Sequence, residues 1–258
     1  MGGALLAGIL DTGLFPPERA CAADKDALRL AGFNNLGVAC EKSNKALSES
    51  SDIIILAVKP FDAPEAIGEI GPSLGEGKIL ISVVAGLTIK KIEKLLGNPD
   101  IPVIRAMPNI NVKAGKGITA FCINRAASGY EQKAAEIFSS VGIAIQLPED
   151  KMNTVTAIAG SGPGFIFYIA EIIKDICEKK GLSEWALEIT ANLLAGTGKL
   201  LLETGEEPAD LKKKVSSPGG TTVAGLEVMD KKGLRATLLE AVDAAERRGS
   251  EISEADNE

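Results

Sequence analysis

The chain has 258 residues, 45% of them hydrophobic and 24% charged, with a formal net charge of −7. That balance sits in the soluble globular range, allows one large domain or two ordinary ones, and lacks the surplus of Lys and Arg that general affinity for nucleic acid requires. Histidine is absent, which removes the Ser-His and Cys-His nucleophile pairs, the usual general base and the commonest zinc ligand. Residues 1–12 open with Met1-Gly2-Gly3-Ala4-Leu5-Leu6-Ala7-Gly8, a helix start rich in small residues with no strand before it. Residues 18–23 give a weak strand signal. Four stronger runs follow, at 51–58 (SDIIILAV), 78–84 (KILISVV), 102–107 (PVIRAM) and 117–123 (GITAFCI). Helical spacing fills 44–49, 61–68, 88–96 and 130–141. Runs apolar on both faces, separated by amphipathic stretches, are what a parallel sheet covered by helices demands, so residues 1–150 read as an α/β domain.

Past residue 151 the strand signal ends. Residues 164–180 (GFIFYIAEIIKDICEKK), 183–204, 221–231 and 233–253 read as helices, punctuated by Gly181, Gly205, Pro218-Gly219-Gly220 and Gly233. Residues 151–258 are therefore expected to be all helical. The first of these helices is apolar around most of its circumference, so it needs other helices or a second subunit to cover it. The four cysteines, Cys21, Cys40, Cys122 and Cys177, follow no CxxC spacing and read as free thiols in a reducing cytoplasm. No metal site is expected. The apolar run at 4–10 is too short to span a bilayer and has no basic flank, so no membrane partner is expected either.

Three places carry chemistry. Gly2 stands where the third glycine of a G-x-G-x-x-G dinucleotide fingerprint would stand, a position that must be small for the helix to approach the sheet. Read alone, the same residues fit a frayed terminus before a surface helix. Ala57-Val58-Lys59-Pro60 ends a strand with a cation that packing explains poorly. Gly160-Ser161-Gly162-Pro163 fits a hinge with a proline near a helix start.

Residues 210–230, DLKKKVSSPGGTTVAGLEVMD, with Ala57-Val58-Lys59-Pro60, Arg105-Ala106-Met107-Pro108-Asn109 and Gly160-Ser161-Gly162-Pro163, resemble pyrroline-5-carboxylate reductase in order and spacing along nearly the whole chain. One departure is Asn109-Ile110-Asn111, where the family usually has Asn-Thr-Pro. The resemblance implies a Rossmann-type domain over 1–150 that binds NADPH, with NADH possible, and an all-helical dimerisation and substrate domain over 151–258. It implies a homodimer or higher homo-oligomer through the C-terminal helices. It further implies a first strand and two glycines, about ten residues, ahead of Met1, so the working polypeptide is expected to be longer. The alternative is a catalytically impaired nucleotide-binding or oligomer-forming homologue.

By position, the resemblance places the cofactor at Gly2, Asn44, Ala57, Val58, Lys59, Pro60, Val83, Val84 and Ala85. Strand ends suit this role because ligands of open parallel sheets bind beyond the carboxyl edge. Packing alone also explains Val83 and Val84. The substrate, a cyclic imine with a carboxylate, falls to Glu149, Ser217, Gly219, Gly220, Thr221 and Thr222. Glycines admit the backbone, amides at a helix start face the anion, and Thr222 is the catalytic candidate. A protonated imine is already an electrophile, so the absence of histidine is no obstacle to hydride transfer. At 22–25, Ala-Ala-Asp-Lys carries both an acid, which suits a ribose diol, and a cation, which suits a 2′-phosphate.

Overall fold

The computed structural model describes residues 1–255. In chain order the main elements are α1 (Gly2–Asp11), β1 (Cys21–Ala22), α2 (Ala27–Asn34), β2 (Ala39–Cys40), α3 (Asn44–Ser50), β3 (Ile53–Leu56), α4 (Ala63–Ile70), β4 (Ile79–Ser82), α5 (Ile89–Leu96), β5 (Val103–Pro108), β6 (Gly117–Ile123), α6 (Glu131–Ser139) and β7 (Gly142–Gln146). Helices follow: α7 (Met152–Val155), α8 (Gly162–Lys179), α9 (Ala186–Thr204), α10 (Pro208–Lys214), α11 (Thr221–Lys231) and α12 (Leu234–Ala255). The expected strands and the all-helical second half are there. Residues 18–23 contribute only a two-residue strand, because Pro17–Arg19 turns as a short 3₁₀ segment.

Five strands form one sheet in the order β3-β4-β5-β6-β7, while β1 and β2 pair as a separate parallel ribbon. All neighbours in the large sheet are parallel except β5 and β6, which run antiparallel with Arg105 opposite Cys122. Alternation sets the two cores. Ile54, Leu56, Leu80, Ala120 and Cys122 face α4, α5 and Met152 in one, and Ile79, Ile81, Ile104 and Phe121 face Leu5, Ile9, Ile137 and Phe138 in the other. Buried aliphatic surface of this kind stabilises by about 25 cal/mol per Å², so the sheet is the rigid frame on which the strand ends are held. Local chemistry ends each helix where a loop must begin. Thr88 caps α5 by accepting from the Lys91 N–H at 3.3 Å, and Gly97, at φ 65°, closes it in the left-handed region.

The chain divides into two compact units. One comprises Met1–Ser161 together with the chain from Ala245 onward, and the other Gly162–Ala244. The division thus falls at 161/162, whereas the change of texture in the sequence lies at 150/151. The reason is packing: Met152, Ala157 and Ala159 are buried with the sheet, so the helical turns of 149–161 belong to it. The end of α12 joins the same unit through Thr154, which donates to Glu246, and Asn153, which donates to Ser250 at 3.3 Å. In the second unit α8 and α9 pack on each other, yet Phe167, Tyr168 and Leu202 keep 64%, 64% and 69% of their surface exposed.

Candidate active site

Parallel strands and α-helix starts place the first cluster. The carboxyl end of β3 runs into Ala57, Val58, Lys59 and Pro60, and β4 runs into Val83, Val84 and Ala85. The start of α1 lies against this edge: a Cβ on Gly2 would fall 2.8 Å from the Ala57 Cβ, closer than two carbons can sit. Only glycine lets the helix terminus come this close, the condition for aiming backbone N–H groups across a strand end at an anion. No side chain caps the start of α1.

Each sequence-derived residue in this cluster now has a definite setting. Lys59 is exposed and begins the short turn Pro60–Asp62. Val83 and Val84 are buried, one in each core, so their side chains are packing groups and only their backbone is left for a ligand. Val83 N–H continues the ladder to the Leu56 carbonyl at 2.9 Å, which leaves exposed Ala85 as the first residue clear of the sheet. Asn44, the first residue of α3, follows the carboxyl end of β2 and donates its amide to Glu69 at 2.8 Å.

The carboxyl end of β1 is crowded with charge. Lys25 meets Glu65 at 2.8 Å and Asp62 at 3.3 Å, and Arg29 meets Asp24 and Asp26, both at 3.4 Å. Hydrogen bonds to Glu65 and then Asp62 raise the affinity of Lys25 for its proton, and the Glu65 carboxyl is lowered in turn by Lys25.

Glu149 has a task that the sequence did not disclose. Its Oε1 accepts from buried Arg105 Nη1 at 2.9 Å and from the Ile89 N–H at the start of α5, also at 2.9 Å. Being occupied inward by a guanidinium and an amide, this carboxylate holds β5, α5 and the 149–151 turn together. A buried Arg in a run such as PVIRAM requires a partner, but nothing in the pattern points to an acid 44 residues on. Beside it, the Cys122 thiol is pushed up to about 12, first by burial and then by the Glu149 charge, with Arg105 opposing. Ile89, Cys122, Ile123, Leu147 and Glu149 border a shallow cavity of about 430 Å³. Asn109 is likewise buried: it donates to the Ala159 carbonyl at 2.9 Å and accepts from the Ile118 N–H at 3.1 Å, tying the loop after β5 to the turn before α8.

In the second unit, Ser217-Pro218-Gly219-Gly220 forms a tight turn closed by Gly220 N–H to the Ser217 carbonyl at 2.9 Å. Gly219 has φ 68°, and a Cβ on Gly220 would lie 2.6 Å from Ser217 Oγ. Both glycines are therefore required by the turn, as a Pro-Gly pair at its centre favours. The turn leads straight into α11, whose start has no side-chain cap, and Ser217, Thr221 and Thr222 are exposed there. Unmet N–H groups, two glycines and flanking hydroxyls make a cradle suited to a carboxylate. Glu149 lies in the first unit.

The described residues contain no cluster of His, Cys, Asp and Glu able to hold a metal. For a dinucleotide the fit is better. A helix start pressed on a strand end by Gly2 and Ala57, with loops diverging from three parallel strands, is a cradle that a side chain at Gly2 would fill.

Comparison with known proteins identifies the family. Residues 149–252 match the family described as pyrroline-5-carboxylate reductase dimerisation, and residues 1–86 match NADP oxidoreductase coenzyme F420-dependent. The pyrroline-5-carboxylate reductase of Methanosarcina acetivorans is 35% identical over 255 residues, covering 98% of this chain and 94% of that protein. That of Synechocystis sp. is 35% identical over 258 residues with the same coverage. Among solved structures, a pyrroline-5-carboxylate reductase from Coxiella burnetii superposes with a TM-score of 0.90 at 31% identity, covering 98% of this chain and 96% of the other. The Plasmodium falciparum pyrroline carboxylate reductase with NADP bound gives a TM-score of 0.87 at 29% identity, covering 98% and 94%.

Proposed function

The chain belongs to the pyrroline-5-carboxylate reductase family, an NAD(P)H-dependent oxidoreductase that reduces 1-pyrroline-5-carboxylate to L-proline, and we propose that its two units divide the work. The first holds the nucleotide and the second holds the imine. Gly2 with Ala57, Val58, Lys59 and Pro60, the backbone of Val83 and Val84, and Ala85 receive the pyrophosphate and nicotinamide side, and Asn44 receives the adenosine side. The observation that supports the second assignment is the uncapped start of α11 behind the Ser217–Gly220 turn. The N–H groups of Thr221 and Thr222 bind the imine's carboxylate, Gly219 and Gly220 let the backbone approach it, and the Ser217 and Thr222 hydroxyls complete the grip.

When bound, the nicotinamide supplies the hydride. The chain itself supplies orientation and charge, which is what a protonated imine needs. A carboxylate fixed at the positive end of α11 would set which face of the C=N bond is presented, with the exposed Thr222 hydroxyl as a further donor at that helix start. Glu149 serves by holding Arg105 and the start of the segment that leads to α8, since a carboxylate facing an anionic substrate would repel it.

The apolar residues left exposed on α8 and α9 are covered by a second copy of the chain, in a homodimer or larger homo-oligomer. By length and composition alone residues 149–179 could also cross a membrane. The match of this region to a dimerisation family supports the subunit contact instead. Four free thiols suit a reducing cytoplasm. Incubating purified protein with the imine and either reduced nucleotide tests the function: it should yield proline with loss of absorbance from the nucleotide, and no turnover with either would contradict it.

A further inference from the structure

The carboxyl end of β1 lies where dinucleotide domains receive the adenosine ribose, about 20 residues after the glycine that opens the first helix. Here Gly2 opens α1 and Asp24 follows β1. A side chain at this place chooses between two ligands. An acid accepts the hydroxyls of an unmodified ribose, whereas a 2′-phosphate, with nearly two negative charges at neutral pH, needs cations.

Two cations and four carboxylates meet at this end, in the pairs Lys25 with Asp62 and Glu65 and Arg29 with Asp24 and Asp26. What decides between the ligands is which of these groups can move. Asp24 is pinned by the Asp26 N–H at 2.9 Å, and Asp26 by the Leu28 N–H at 2.9 Å as the cap of α2. Both are short side chains tied to the backbone, and they hold their places more firmly than the long cations do. Lys25 and Arg29 are long, exposed and free to turn, but turning toward a phosphate strips them from acids that remain behind. Exposed ion pairs are individually weak, so the pairing itself is no barrier. The surplus of fixed negative charge is.

We propose that this charge arrangement makes the chain prefer NADH over NADPH, with Asp24 as the residue that discriminates, in contrast to the NADPH that the family resemblance implies. The inference rests on reading this strand end as the adenosine pocket of the cofactor site.

The test is direct binding of NADH and NADPH to the purified protein, measured by titration calorimetry without substrate. NADH should bind about tenfold more tightly, the ratio shrinking as salt screens the repulsion. Asp24→Ser should bring the two affinities together chiefly by strengthening NADPH, and Glu65→Gln, which removes the nearer of the two acids that hold Lys25, should move the ratio the same way. Equal or tighter binding of NADPH by the unaltered chain would overturn the proposal. So would an unchanged ratio in both variants, provided that their melting temperatures match the parent's. Binding of neither nucleotide would overturn the cofactor reading as well, which separates the two failures.

Discussion

Among single residues, Arg105 and its neighbours show how much of the site depends on a group that touches no ligand. Its guanidinium is buried in the sheet and answered by Glu149, itself half-buried. Replacing Glu149 by Ala leaves that charge short of a partner and frees the Ile89 N–H, at a cost of about 2–3 kcal/mol; Gln, which keeps an acceptor, costs about half as much. Urea unfolding of the two variants should show this order. Cys122 reports on the same spot. With its pKa pushed up to about 12 from an ordinary 9.0, the native thiol stays neutral where the unfolded chain's thiol ionises. The stability it contributes is therefore complete below about pH 9 and drains away between there and about pH 12. At pH 8 a thiol reagent should modify half-exposed Cys21 and Cys40 well before Cys122, and equal rates would show that Cys122 is not shielded.

The legibility of individual elements follows the range of the forces that make them. Thr221–Lys231 and the apolar strands β3 and β4 are readable because glycine breaks and periodicity act within a dozen residues. Of the two-residue strands, β1 shows only as the weak signal at 18–23, and β2 carries too little pattern to be seen. The reversed pairing of β5 and β6 and the whole of β7 were also illegible, since partner choice is a long-range matter. β7 depends on two facing glycines. Gly117 pairs with Gly142, and a Cβ on Gly142, at φ 153°, would fall 1.9 Å from the Gly117 carbonyl oxygen. Gly142→Ala should then force β7 off β6, with a loss of about 3 kcal/mol or more and rapid amide exchange confined first to 142–146. Unaltered exchange there would contradict this packing. Gly2 is the opposite case, since its need for smallness against the sheet was readable once the family-like motifs stood beside the Gly-Gly-Ala start, though its contact with Ala57 was not.

For the molecule as a whole, the residues of the two proposed cradles were legible from family-like motifs, but their settings were not. It took coordinates to show that the valines after β4 are buried, that Glu149 is held by Arg105, and that α11 starts uncapped. The same scale exposes an apolar surface on the helical unit that a lone chain leaves in water. Sedimentation should give a mass at least twice the 26.8 kDa of one chain, and Phe167→Asp should shift it toward the monomer. A monomeric parent would contradict the proposed subunit contact. On the proposed function, the turn ahead of α11 recognises the carboxylate of the imine. A comparison of kcat/KM for 1-pyrroline-5-carboxylate with that for 1-pyrroline, which lacks the carboxylate, in the parent and in Thr222→Ala tests this recognition. The parent should favour the carboxylated imine strongly, and the variant should lose about tenfold of that preference with nucleotide affinity unchanged. An undiminished preference in Thr222→Ala would contradict the claim.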